Sequence, residues 1–306
     1  MRICILGSAA GGGLPQWNCN CKNCAGIRAG SGGVRPRSQS SVAISADGDW
    51  WFLLNASADV RSQIGAADFL WPPKESRRGT SIAGCVLTDA EIDHTSGLLQ
   101  LREGCRFGVF STPIVKRWLH HDLPIGSILA DFADRPWTEL AIGQWSDLSL
   151  PDGTSSGLRI RSFEVGRDVP RFVPEDPEQA VGSVIGLQIE DSGGAKLVYA
   201  PGVAMICDDL QSACEDAGCI LIDGTFWSDD EPKRTQIKDS TATQMGHVPV
   251  SGNQGTLTWL AGLSVKHRVY VHINNTNPML NERGREHAEV VRCGVQVGMD
   301  GDVFDI

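Results

Sequence analysis

The sequence predicts an α/β fold in which β-sheets are covered by helices. Two observations carry this: short apolar runs alternate with stretches of helical spacing, and compact polar clusters follow directly on several of those runs. The length agrees. At 306 residues the chain exceeds the usual ~100–200 of one domain, yet layered α/β folds reach this size as one unit. No internal repeat or low-complexity tract divides it, so 1–306 reads as a single domain.

Arg2–Ser8 (RICILGS) is expected as a short buried strand running into Gly11-Gly12-Gly13, a loop that lets backbone approach a ligand closely. Ser41–Ala46 and Trp50–Leu54 flank Asp47-Gly48, a hairpin signal. Ala56–Ala67 has helical spacing, and Gly84–Thr88 reads as a strand. The polar cluster Asp89–His94 follows at once, then Gly97-Leu98-Leu99, where a helix is expected to start. Further strands are expected at Val184–Ile189, Leu197–Tyr199, Cys219–Ile222 and Val269–Ile273, and helices at Cys207–Ala217, Gln254–Leu263 and Asn281–Arg292. Pro170–Glu178, rich in proline and acid, reads as a surface loop.

Hydrophobic residues make up 41% and charged residues 21%, so a sizeable core is expected. The net charge of -10 argues against a nucleic-acid partner and against an anionic membrane surface. The first residues lack the long apolar region of a signal peptide, and no run approaches the ~20 apolar residues of a membrane helix. The expected location is cytoplasmic. Ten cysteines there are expected as buried thiols and metal ligands rather than disulfides; Cys85, Cys207 and Cys219 read as small core residues.

Thr88–Gly97 places four ionisable groups, Asp89, Glu91, Asp93 and His94, within six residues after a strand. A helix would spread them around its circumference and a strand would split them between faces, whereas a tight turn points them at one place. A solvated acidic loop with an incidental histidine is the plain alternative. Cys19-Asn20-Cys21-Lys22-Asn23-Cys24 sets three thiols within six residues, a spacing at which thiolates converge on one tetrahedral zinc.

Asp89, Glu91, Asp93 and His94 resemble, in spacing, the H-x-H-x-D-H signature of the metallo-β-lactamase superfamily. Leu53–Ser57 with Gln63 is similar to a strand end of its tRNase Z and phosphodiesterase branch, with Asn55 in place of Asp. Leu221-Ile222-Asp223-Gly224-Thr225-Phe226, Gly246-His247 and Tyr270-Val271-His272 resemble three further landmarks of that branch. Gly7–Cys19, Thr88–Gly97 and His272–Pro278 together resemble the PqqB family of pyrroloquinoline quinone (PQQ) biosynthesis, over essentially the whole chain. The resemblance implies an αββα sandwich, two mixed sheets covered by helices.

The departures from the superfamily pattern matter most. In hydrolytic members two zinc ions share the motif, one held by its first two histidines and a third from a downstream loop. Here Asp89 and Glu91 stand at the first two positions, Phe163-Glu164-Val165-Gly166 at the third, and Tyr199-Ala200-Pro201-Gly202 lacks the bridging carboxylate. Asp93, His94 and His272 remain, two imidazoles and a carboxylate, the set used by mononuclear iron oxygenases. Asp89 and Glu91 are then expected to face the pocket as substrate-binding or proton-carrying groups. His247 is expected to be catalytic or substrate-binding, with a core histidine as the plain alternative. Asp223 is expected as a pocket acid or a group behind the metal. His120, His121, His267 and His287 read as surface residues.

The knuckle Cys19, Cys21, Cys24 resembles one that holds a structural zinc in phosphodiesterase relatives, whose fourth ligand follows the last active-site histidine. The matching positions here are Asn274 and Asn275; either amide, His247 or a water is a candidate. The resemblance further implies Fe(II)- and O2-dependent hydroxylation of the tyrosine ring in a Glu–Tyr cross-linked diamino acid cut from the peptide PqqA. A non-enzymatic carrier of PQQ or its precursor and a mononuclear zinc hydrolase are the alternatives. Arg35, Arg37 and Lys22 are candidates to meet the substrate carboxylates, or are ordinary solvated cations. A homodimer is left open.

Overall fold

The computed structural model describes residues 1–174 and 180–306. Strands β1 (Arg2–Gly7), β2 (Ser41–Ser45), β3 (Trp51–Leu54), β4 (Ile82–Val86), β5 (Gly108–Ser111) and β6 (Trp137–Glu139) build one sheet. Strands β7 (Trp145–Ser149), β8 (Ser155–Gly166), β9 (Val184–Asp191), β10 (Lys196–Ala200), β11 (Cys219–Asp223), β12 (His267–Val271) and β13 (Gln296–Val297) build the other. Strand β14 (Val303–Asp305) returns to pair with β1 at the edge of the first. Both sheets have seven strands, in the orders β14-β1-β2-β3-β4-β5-β6 and β13-β12-β11-β10-β9-β8-β7. Both are mixed: β1, β2 and β3 are antiparallel while β3 to β6 are parallel, and β7 to β10 are antiparallel while β10 to β13 are parallel.

Period-two alternation explains the layers. In β2, Val42 and Ile44 enter the cluster between the sheets, with Ile185, Leu187 and Leu221 of the second sheet, while Ala43 turns outward with Leu53 and Cys85. The outward face of the first sheet is covered by Val115, Trp118 and Leu119 of the helix Pro113–His121. Leu210, Leu257, Leu260 and Val290, from three helices, cover Val198, Ile220 and Ile222 of the second. This is an αββα arrangement. Each fully buried Leu, Ile or Phe in these clusters contributes roughly 1.5–3 kcal/mol.

The hairpin β2–β3 and strands β1, β9, β10 and β11 lie where the sequence places them. Three boundaries shift for local reasons. The helix expected from Ala56 begins at Val60, because Asn55 has φ 62 and Ala56 donates its N–H to His94 O. Strand β12 stops at Val271, because His272 has φ 53. The helix expected from Asn281 begins at Arg285, after Gly284 closes a turn onto Asn281 O. Gly97-Leu98-Leu99 forms a 3₁₀ stretch instead of opening an α-helix. In the expected surface loop Val173 is buried, a partner of the helix-covered face; residues 175–178 of that expectation lie outside the described residues.

The loop after β3 and the segment after β4 are locked together at Gly97. A Cβ there would meet Ser57 O at 2.0 Å and Ala56 O at 2.7 Å, both backbone atoms that have nowhere to move. We expect Gly97→Ala to lower unfolding free energy by about 1–3 kcal/mol, the cost of overpacking. Denaturant unfolding of the two proteins checks this, and an unchanged midpoint would show that the two segments slide freely.

Candidate metal centre

The chain leaves β4 and turns sharply at Asp89 before the one-turn helix Ile92–Thr95. Asp89 is 4% exposed. It accepts from Thr88 Oγ1 at 2.7 Å, from the Glu91 N–H at 2.9 Å and from His94 Nδ1 at 2.8 Å. Burial alone would push its carboxyl up, but His94 and these donors hold it below the usual carboxylate range. With Nδ1–H given to Asp89, His94 presents Nε2 as a lone pair, and that atom is buried with no hydrogen-bond partner. Burial pushes the His94 imidazole down, yet Asp89 and Asp93 outweigh it and raise it to about 9, so a bound cation takes the place of a proton on Nε2.

The opposite wall comes from the second sheet. His272 sits just past β12 in the left-handed region, with its ring centroid 5.0 Å from that of His94 and its Nε2 3.4 Å from Asp93 Oδ2. Its Nδ1 lies 2.8 Å from Thr225 Oγ1, which donates at 2.6 Å to Asp223 Oδ1. Asp223, at the end of β11, has no exposed surface. Its Oδ2 also accepts from His247 Nδ1 at 2.6 Å and from the Val203 N–H at 2.9 Å. Burial pushes Asp223 up and His247 down, but their contact leaves Asp223 below and His247 above its ordinary value. His247 stacks on His272 at 5.7 Å, so one buried carboxylate orients both rings, one of them through Thr225.

Asp93, His94 and His272 offer ligand atoms that all lie within 4.8 Å of one another. The fit to a metal rests on the geometry: a buried, unpartnered Nε2, a second Nε2, and a half-buried carboxylate on the same side. Two imidazoles and a carboxylate suit a first-row divalent ion. Burial pushes Asp93 up, but His94 and His272 hold it well below the usual range, so it stays a carboxylate. Glu91 stands at the mouth, where desolvation and the charges of Asp89 and Asp93 push it up to about 7.

These groups open into a cavity of about 400 Å³, bordered by Glu91, Asp93, His94, His247, His272 and Asn274. Asp89 touches it from behind His94, and Asp223 stays buried behind His247. A wider groove of about 840 Å³ elsewhere holds a single carboxylate, Asp229, already bonded to Thr243. Glu164 is spent on Arg167 and the Gly182 N–H. None of Arg35, Arg37 and Lys22 borders the cavity: Arg35 pairs with Glu282, and Arg37 is buried against Gly298 O. Arg171 and Lys238 border it instead, with Asp168, Phe172 and Phe226. Thr225 was visible in the Leu221–Phe226 motif; Arg171 and Lys238 carry no motif at all. Of the four histidines expected at the surface only His121 is well exposed; His120 and His287 bond the backbone of Lys116 and Met279.

Cys19, Cys21 and Cys24 also bring their sulfurs within 4.8 Å of one another. Cys21 caps the helix Lys22–Arg28, accepting from the Cys24 N–H at 3.5 Å. The Asn275 amide nitrogen lies 3.0 Å from Cys19 Sγ, 3.3 Å from Cys24 Sγ and 3.6 Å from Cys21 Sγ. A half-turn of that amide puts its oxygen in the same place. Asn274 turns toward the cavity, bonded to Thr276 Oγ1 at 2.6 Å, and His247 lies in the cavity wall. Asn23 ties the knuckle down by donating to Asn275 O and Asn277 O.

Replacing Asp223 by Asn removes the charge that two imidazoles face. We expect Asp223→Asn to destabilise the fold by about 1–3 kcal/mol and to leave His247 and His272 in mixed tautomers. Nitrogen-15 imidazole spectra report this, and single sharp tautomers in the variant would refute the orienting role.

A family model described as a beta-lactamase superfamily domain matches residues 50–273. The chain is 42% identical over 302 residues to coenzyme PQQ synthesis protein B of Ectopseudomonas mendocina, covering 98% of each, and 42% identical over 303 residues to the Pseudomonas aeruginosa protein of the same name, again covering 98% of each. Zinc-bound PqqB from Methylobacterium extorquens matches all of both chains with a TM-score of 0.91 and 38% identity. A diphosphatase of the PhnP family, with a TM-score of 0.68 over 100% of this chain and 97% of its own and 18% identity, shares the fold. The architecture and these similarities together establish that the chain belongs to the coenzyme PQQ synthesis protein B family, within the β-lactamase superfamily.

Proposed function

We propose that the chain, acting as one domain over 1–306, catalyses an oxygen-dependent step of PQQ synthesis: hydroxylation of the tyrosine ring in the PqqA-derived Glu–Tyr diamino acid. Asp93, His94 and His272 would hold one Fe(II), and Cys19, Cys21 and Cys24 a structural zinc with the Asn275 amide beside it. The observation that carries this reading is that Asp89, standing where a hydrolytic member has a metal-binding histidine, has both oxygens within 2.9 Å of His94 Nδ1. It orients a ligand of the Asp93, His94 and His272 set and is not free to build a second metal site. Iron, when bound, supplies activation of dioxygen, which zinc does not.

The chain's own residues then have separate tasks. Asp89 and Asp223 keep Nε2 of His94, His247 and His272 free by holding each Nδ1–H directly or through Thr225. His247 Nε2 is placed to give or take a proton at the substrate. Glu91, pushed up to about 7, exchanges protons between the cavity and water near neutral pH. Phe172 and Phe226 offer apolar surface for an aromatic ring and narrow the access of water. Because the Methylobacterium extorquens relative is described as zinc-bound, a mononuclear zinc hydrolase is the second reading. Anaerobic Fe(II) loading, followed by oxygen, the diamino acid and a two-electron reductant such as ascorbate, which takes the second oxygen atom to water, separates the two. A product one oxygen atom heavier supports the hydroxylase; oxygen-independent cleavage supports the hydrolase; bound, unchanged substrate supports a carrier of PQQ or its precursor.

His272→Ala removes one of three ligands. We expect iron affinity to fall by at least about 100-fold and hydroxylation to be lost, with the fold retained. A variant that keeps one iron and turns over normally would sink the three-ligand assignment. Cys21→Ser should lose one equivalent of zinc and lower the melting temperature, because a structural site contributes directly to folding. Full zinc content with an unchanged melting curve would count against the knuckle.

A further inference from the structure

The cavity carries two cations that its metal chemistry does not use. Arg171, beyond β8, and Lys238, beyond the helix Glu231–Arg234, both border it, and both are exposed. Neither side chain has a hydrogen-bond or ion-pair partner among the described residues. Some other exposed cations pair, as Arg35 does with Glu282 and Arg159 with Glu190; what sets Arg171 and Lys238 apart is that they border this cavity. Two positive side chains from separate loops, at the mouth of an otherwise acidic cavity in a chain of net charge -10, favour a ligand that carries negative charge as well.

The same cavity also carries the other sign. Glu91 and Asp168 border it, and Asp168 is set against the loop that carries His247. Gly246, with φ 76, makes room for that carboxylate: a Cβ there would lie 2.0 Å from Asp168 Oδ2. Ile92, Phe172, Phe226 and Met245 supply apolar surface in the same cavity. A polyanion would be repelled by Glu91 and Asp168, and a simple cation by Arg171 and Lys238. A zwitterion satisfies both signs, and a ring satisfies the apolar wall.

We propose that Arg171 and Lys238 bind the carboxylates, and Asp168 with Glu91 the ammonium groups, of an aromatic amino-acid substrate. This rests on the reading of the cavity as a small-molecule active site and names how it recognises its ligand. Arg171 presents a planar fork suited to one carboxylate, and Lys238 a movable point charge suited to a second. Both sit at the rim, so their contribution falls as salt rises.

The test is calorimetric titration of the metal-loaded protein, without oxygen, with the Glu–Tyr diamino acid and with its carboxyl methyl ester. Arg171→Gln and Lys238→Gln should each weaken binding of the acid by about three- to tenfold, and together by about 30-fold or more. The ester should bind the wild type as weakly as the acid binds the double variant, and should not respond to either substitution. Asp168→Asn should weaken acid and ester alike. Metal content and melting temperature, measured on each variant, show that the exposed substitutions leave the fold intact. A double variant that binds the acid within twofold of wild type, an ester bound as tightly as the acid, or a wild type that does not bind the acid would overturn the proposal. Oxygen incorporation, followed separately, keeps the two readings apart: wild type that binds the acid through these residues without hydroxylating it leaves the zwitterion site standing and refutes the hydroxylase.

Discussion

Two carboxylates shut away from water decide which nitrogen of each active-site imidazole is free. Burying an ionised carboxylate costs several kcal/mol unless it is fully hydrogen-bonded. Asp89 meets that demand with Thr88 Oγ1, the Glu91 N–H and His94, and Asp223 with the Val203 and Thr225 N–H groups, Thr225 Oγ1 and His247. Each imidazole thereby donates toward a buried carboxylate, directly or through Thr225, and turns its other nitrogen outward. The turn after β4, the end of β11 and the residue after β12 all serve this geometry. The αββα scaffold supplies the sheet ends from which the three segments converge.

The cysteine knuckle extends the constraint to the chain's first loop. Asn23 holds the backbone of Asn275 and Asn277, Asn275 reaches the three sulfurs, and Ala9 bridges Ile273. His272 therefore lies between two anchored points, β12 on one side and the knuckle on the other. That bracketing is what keeps a histidine in the left-handed region, where a non-glycine residue pays roughly 1–2 kcal/mol. The strain is local and the contacts that hold it are spread over three loops.

How much of this could be read from the sequence follows from how local each signal is. Strands with buried alternation, such as β1, β2 and β9, announce themselves in a few residues. The short, half-exposed β6 and β7 do not, and the 12-residue β8 was missed because Arg159, Arg161 and Glu164 break its apolar run. The cluster Asp89–His94 was legible because its chemistry is packed into six residues. Asp89's task behind His94 was not, since it depends on a ring orientation set by the tight turn. Thr225 could have been found in its motif. Arg171, Lys238 and Asp168 could not, because only the folding of distant loops over one cavity brings them together.

The candidate ligand set draws on both sheets, Asp93 and His94 from the end of the first and His272 from the end of the second. A cation shared by Asp93 and His272 would tie together points 179 residues apart along the chain. Such a tie acts as a reversible cross-link: the loop it closes is long, and the entropy it removes from the unfolded chain grows with the logarithm of that length. Metal content then becomes a mechanical property of the sandwich as well as a chemical one. The sheets would be held in register by the same ion that would do the chemistry, and any shear between them would be felt at once as a change in its coordination.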